Sequence, residues 1–100
     1  MSIRHIVMWK VSASTNEERE QQYLEIKSAL EGLNGVIPEI KSLTVSRNMH
    51  KIGDNYDVVL DSVFDSIADV ESYAGHPAHV EAGKVPKSYA VARGQVDFEF

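Results

Sequence analysis

Two segments of this chain are apolar on both faces of an extended strand, which limits the folds open to it. Side chains alternate across a strand, so residues two apart share a face. In Ile3–Val11, one face holds Ile3, His5, Val7, Trp9 and Val11. The other holds Ile6 and Met8 between the charged ends Arg4 and Lys10. Tyr56–Phe64 repeats the pattern. Val58, Leu60 and Phe64 alternate, with Ser62 between the last two, against Asp57, Val59, Asp61 and Val63. A sheet built from such strands needs cover on both sides.

The remaining elements supply cover for one side only. Thr15 and Glu18 form a capping-box pattern. Tyr23, Ile26, Leu30 and Leu33 then recur at helical spacing, predicting an amphipathic helix over 16–33. Gly32 and Asn34-Gly35 supply stop signals, because both residue types tolerate left-handed backbone angles. Val36-Ile37-Pro38 leads into a strand over 39–47, with Leu43 and Val45 alternating against polar neighbours. His50–Asn55 reads as a hairpin loop. Ser66 and Asp69 form a second capping box, and Ile67, Val70 and Tyr73 point to one side of the helix that follows. Gly75-His76-Pro77 breaks that helix. Pro77 opens a further helical turn to about Val85, which Pro86 ends. Tyr89–Phe100 is a last strand, with Val96, Phe98 and Phe100 alternating against Gln95, Asp97 and Glu99.

The order β-α-β-β-α-β indicates an α+β, ferredoxin-like arrangement: one antiparallel four-stranded sheet with two helices on one face. The other face, with Ile6, Met8, Val59 and Val63 among its candidates, stays bare. Leaving apolar surface in water costs roughly 25 cal/mol per Å². Packing that face on a second copy about a two-fold axis removes the cost, so a homodimer is expected.

Composition narrows the function. A chain of 100 residues fits a single domain, 1–100. Size scaling gives it a folded surface of about 5,700 Å². With no cysteine, disulfides, thiolate nucleophiles, zinc fingers and iron–sulfur clusters are excluded. A net charge of −5 without a basic cluster argues against nucleic-acid binding. No apolar run approaches the roughly 20 residues of a membrane span, and Met1–Lys10 lacks the regions of a secretory signal. A cytoplasmic protein is expected.

The segments Ile3-Arg-His-Ile-Val-Met-Trp-Lys-Val11, Leu33-Asn-Gly-Val-Ile-Pro-Glu-Ile-Lys41 and Tyr73-Ala-Gly-His-Pro-Ala-His-Val80 resemble the stress-responsive A/B barrel domain, Dabb. The resemblance runs from about Ile3 to Phe100, and its most specific part is the His-Pro-x-His element after a helix. It implies a dimeric α/β barrel, two four-stranded sheets packed together with helices outside. Plant members include stress-induced proteins and a polyketide cyclase that performs an intramolecular aldol condensation. Carried over by position, the cyclase's catalytic histidine and tyrosine correspond to His79 and Tyr73, and a pocket histidine to His5. Leu30 stands where that cyclase has a pocket tyrosine. Some plant members hold a cation on main-chain carbonyls, which correspond to those of Asn34, Ile37 and Ile40.

The residues themselves allow sharp and bland readings. With His76 as N-cap and Pro77 as N1, His79 sits at N3, where the helix dipole disfavours imidazolium. A neutral imidazole there suits a general base that removes a proton next to a carbonyl. Alternatively, His76 only caps and His79 only hydrogen-bonds across the core. His76 and His79 as a metal pair lack a third ligand. Tyr73 is either a core aromatic or a phenol orienting a substrate carbonyl. His5 holds a polar end of a ligand or is merely a hydrogen-bonded group on an apolar strand. Trp9 lines a pocket or fills it, and His76 is counted with them as a substrate contact.

The expected protein is a homodimer that binds a small apolar or aromatic molecule between sheet and helices. One alternative is a cofactor-free cyclase or lyase with His79 as base. Another is a stress-related structural protein without catalysis. Fold analogy adds cofactor-independent monooxygenases and haem-handling enzymes. An enclosed pocket of about 300 Å³ lined by His5, Tyr73 and His79 favours a ligand; a filled interior favours the structural reading.

Overall fold

β1 (Ile3–Val11) occupies an inner place in the sheet because its two faces both carry apolar side chains. It pairs antiparallel with β3 (Val58–Phe64) on one side and with β4 (Ala90–Glu99) on the other. β2 (Ser42–Arg47) adds to β3, giving the order β2-β3-β1-β4. These relations come from a computed structural model that describes residues 1–100. The architecture is the ferredoxin-like α+β fold. Its accessible surface is 5821 Å².

The helical elements all lie on one side of the sheet. α1 (Asn16–Glu31) starts where the Thr15 hydroxyl accepts the Glu18 N–H at 3.1 Å. The Glu18 carboxylate turns back, as a capping box requires, but it takes the N–H of Ser14 at 3.2 Å. α1 ends two residues earlier than its periodicity suggests. Leu33 stays buried in the turn that follows, and only Gly35 (φ 80°) of the stop residues adopts a left-handed angle. α2 (Ile67–Gly75) is capped by Ser66, which accepts the Asp69 N–H at 3.1 Å. Val70 and Tyr73 are buried, whereas Ile67 in the first turn is exposed.

Beyond α2 the chain forms two short helices where the sequence suggested one. α3 (Pro77–Ala82) begins at His76, whose Nδ1 accepts the Ala78 N–H at 3.0 Å. α4 (Lys84–Tyr89) contains Pro86 in its first turn, so this proline does not terminate a helix. The position has no intrahelical partner for an N–H, so its absence costs nothing. β2 and β3 also start later than their alternation suggests, at Ser42 and Val58.

Odd-numbered residues of β1 face the helices. Val7, Trp9, Leu60, Phe64, Ile26 and Tyr73 belong to one core there. Even-numbered residues face the uncovered side, where Met8 pairs with Val59 and Arg4 with Val63. β4 contributes Val96, opposite Ile6, and Phe98, opposite Arg4, to that same face; both are exposed. The apolar half of β4 therefore turns away from the helices, and its polar half, Arg93, Gln95 and Asp97, lies on the helix side.

Two polar clusters hold the elements in register. Lys27 Nζ donates to the Val45 carbonyl at 2.9 Å while Glu31 accepts the Val45 N–H at 2.9 Å, so α1 covers part of the outer edge of β2. Burial would raise the Glu31 carboxyl, but the bonds from Lys27 and Val45 outweigh it and hold it below the usual value. Asp57 is only 5% exposed. Its carboxylate accepts the Val11 N–H at 2.9 Å and stands 3.3 Å from Arg19 and 3.5 Å from Lys51. One side chain thus ties β1, α1 and the loop before β3. Asp57→Ala leaves a buried N–H and two cations without their partner. We expect it to cost roughly 2–3 kcal/mol of stability in urea unfolding, and Asp57→Asn, which still offers Val11 an acceptor, to cost less.

Candidate functional site

The β1 register fixes the first site residue. His5 lies opposite Ser62 of β3 and opposite Asp97 of β4. The Ser62 hydroxyl, fully buried, donates to the His5 carbonyl at 2.9 Å and pins the backbone. On the other side, His5 Nδ1 meets Asp97 Oδ1 at 2.5 Å. Asp97 Oδ2 accepts Gln95 Nε2 at 2.9 Å. Burial works to raise the Asp97 carboxyl, yet the bonds from Gln95 and His5 prevail and hold it low. The contact occupies Nδ1, and Nε2 of His5 has no partner in the chain.

α2 and α3 bring Tyr73 and His79 to the same place. The Tyr73 ring lies between the two imidazoles, 5.9 Å from His5 and 4.4 Å from His79 between ring centroids. Phe64 backs it at 5.0 Å. His79 Nδ1 lies 3.0 Å from the Ala74 carbonyl, the geometry of an N–H donor to that oxygen, which leaves Nε2 unengaged. Burial is the main cause that lowers the His79 pKa from its ordinary 6.5; the nearby charges of His5, Arg93 and Lys87 add to it, and the Ala74 bond opposes it. Desolvation therefore leads, whereas position N3 alone predicts the helix dipole as the cause. Burial also pushes the Tyr73 phenol up to about 12, so it is a hydrogen-bond donor at neutral pH, not a phenolate.

A cavity of about 160 Å³ opens beside these rings. His5, Trp9, Tyr73 and His79 all line it, with Leu30 in its wall. The volume is about half the 300 Å³ that sequence reasoning set as the mark of a ligand site, because Trp9 and Leu30 fill part of the space between sheet and helices. His76 lies outside the walls and caps α3 through Nδ1. Arg93, Gln95 and Lys87, none of them singled out from the sequence, complete the rim. Alternation along β4 places Arg93, Gln95 and Asp97 on one face, but only the register with β1 shows that this face looks into the cavity.

A larger hollow, about 540 Å³, lies where Met8 and Val59 of the uncovered sheet face meet Asn48 and Asp54–Tyr56. It holds no histidine. His5, Tyr73 and His79 line the smaller cavity.

The carbonyls of Asn34, Ile37 and Ile40 lie in the segment between α1 and β2. That of Ile37 accepts the Ile40 N–H at 3.2 Å. The Asn34 side chain is spent on the carbonyls of Glu31 and Leu43. Glu39 puts one buried carboxylate oxygen without a partner into the same segment, but nowhere do three His, Asp or Glu side chains converge. No helix is long and apolar enough to cross a membrane.

Several known proteins are similar to this chain in sequence or in fold. Olivetolic acid cyclase from Cannabis sativa is 22% identical over 91 residues, 89% of this chain and 87% of that protein. A dimeric protein of unknown function with a ferredoxin-like fold from Bacteroides fragilis superposes with a TM-score of 0.88 at 36% identity. That match covers 99% of this chain and 96% of the other. The hydroxynitrile lyase of Passiflora edulis shares the fold, with a TM-score of 0.77 at 19% identity over 97% of this chain and 91% of that one. The family profile of the stress responsive A/B barrel domain matches residues 3–100. The chain belongs to the stress responsive A/B barrel domain family, Dabb.

Proposed function

We propose that the protein is a homodimer whose cavity between sheet and helices binds a small, largely apolar or aromatic molecule, with Tyr73 and His79 as polar contacts. The observation that carries this reading is the Tyr73 hydroxyl. Tyr73 is 1% exposed and lines the cavity. Its hydroxyl is hydrogen-bonded to nothing in the chain, unlike those of Tyr23 and Tyr89. The hydroxyl is not one of the chain's fully buried unpaired atoms; it opens on the cavity, where a ligand carbonyl can replace water as its acceptor. The space suits one six-membered ring, since cavities of about 150 Å³ take up benzene.

A proton-transfer reading of the same site is favoured by the His79 geometry. In it, the free Nε2 of His79 takes a proton from carbon next to the ligand carbonyl. The Tyr73 phenol donates to the carbonyl oxygen as enolate charge develops there. The similarity to olivetolic acid cyclase supports this chemistry.

The second copy covers the face of Ile6, Met8, Val59, Val63, Val96 and Phe98. Its support is the apolar surface itself and the dimeric relative from Bacteroides fragilis. Light scattering should give twice the chain mass at micromolar concentration, and Val59→Lys should give the monomer. A monomeric parent protein overturns the dimer.

Acetophenone, a ring with an enolisable carbonyl, tests the cavity. In NMR titration it should perturb Trp9, Val70, Tyr73 and His79, and Tyr73→Phe should weaken binding by roughly tenfold, the worth of one hydrogen bond. Shifts confined to surface residues sink the reading. If His79 is the base, the protein speeds deuterium exchange at the acetophenone methyl, and His79→Gln abolishes that while retaining binding.

The pH dependence has a defined sign. The folded protein holds His79 below 6.5, so the unfolded chain takes up its proton first as pH falls. This contribution is fully present above 6.5 and is lost as pH drops toward the folded pKa. Urea unfolding of His79→Gln should show a flatter pH profile than the parent across that window.

A further inference from the structure

Of the ten Lys and Arg residues, seven stand within 4.0 Å of a carboxylate: Arg4, Arg19, Lys27, Lys41, Arg47, Lys51 and Lys84. Of the other three, Lys10 lies over the Tyr56 ring at 5.3 Å. The last two, Lys87 and Arg93, both line the cavity of His5, Tyr73 and His79. A chain of net charge −5 has carboxylates to spare, yet none is among the residues of the cavity wall. The nearby carboxylate, Asp97, is committed to His5 and Gln95. Gln95 stands between it and Arg93, taking one Arg93 N–H on its Oε1 at 2.7 Å. The remaining guanidinium donors have no partner in the chain. The cavity is thus apolar toward Val7, Leu30, Leu60 and Val70 and cationic toward α4 and the β4 edge.

We infer that the ligand carries a carboxylate, held at the cavity mouth by the Arg93 guanidinium with Lys87 beside it, while its apolar part enters toward Tyr73. A planar fork of N–H donors matches a carboxylate in shape and charge, which a lone ammonium does not, so Arg93 is the main specificity residue and Lys87 the lesser. The inference rests on the cavity being a ligand site, and it adds the chemical class of that ligand. Gln95 acts as a spacer: by bonding both Arg93 and Asp97 it keeps the cation from collapsing onto the carboxylate that orients His5.

Benzoate and its neutral isostere benzamide separate the two ideas. We expect benzoate to bind at least about tenfold tighter than benzamide at low salt, as a charge-assisted pair should. Arg93→Gln should erase that preference, bringing benzoate to about the affinity of benzamide for the same variant. Lys87→Gln should reduce it by about threefold through its charge alone. Both side chains are exposed, and thermal melting of each variant checks that it folds. Equal affinity for the two ligands, or a preference that survives Arg93→Gln, overturns the carboxylate inference and leaves the cavity reading standing. Displacement of benzoate by inorganic phosphate at equal concentration overturns carboxylate recognition in favour of a general anion site. If neither compound perturbs Tyr73 and His79, the cavity reading and this inference fall together.

Discussion

Everything in this fold depends on β1 lying between β3 and β4 in one fixed register. A one-residue slip would exchange its two faces. His5, Val7 and Trp9 would then point to the uncovered side, and Ile6 and Met8 toward the helices. Two contacts beyond the ladder oppose that slip. The Ser62 hydroxyl bonds the His5 carbonyl, and the Asp57 carboxylate takes the Val11 N–H at the far end of the strand. Both are buried polar groups whose partners exist only in the observed register, and an unpaired buried group is expensive.

The same register creates the chemistry of the cavity. Cross-strand neighbours on one face of an antiparallel pair come close enough for side chains to meet, which sets Asp97 against His5. Two histidines reach the cavity with Nδ1 already committed, one to a carboxylate and one to a main-chain oxygen. The phenol between them has no such commitment. A polar network that is satisfied except at the atoms lining a void favours an outside partner for those atoms.

Much of this was legible in the residues. β1 is read without error because its alternation is unbroken for nine residues. The Thr15 and Ser66 caps follow from a hydroxyl placed before a helical period, and the His76 cap from the proline after it. The errors fall where local signals compete. Pro86 reads as a stop, but in a first turn it is neutral. Ile67 has the period of a buried residue and stands too near the helix start to reach the sheet.

The sequence by itself determined the element order, the two-sided apolar strands and the family, since these depend on local periodicity and on motifs a few residues long. With no cysteine in the chain, it also excluded disulfide and thiolate chemistry. Only the tertiary structure decided which face of β4 meets the helices. Alternation names two faces but does not orient them. The pairing of Asp97 with His5 and of Val96 with Ile6 turned the polar face inward. That choice put Arg93 and Gln95 at the cavity and left Val96 and Phe98 exposed, a consequence of registers between strands distant in the chain, 3–11 and 90–99, that no local pattern encodes.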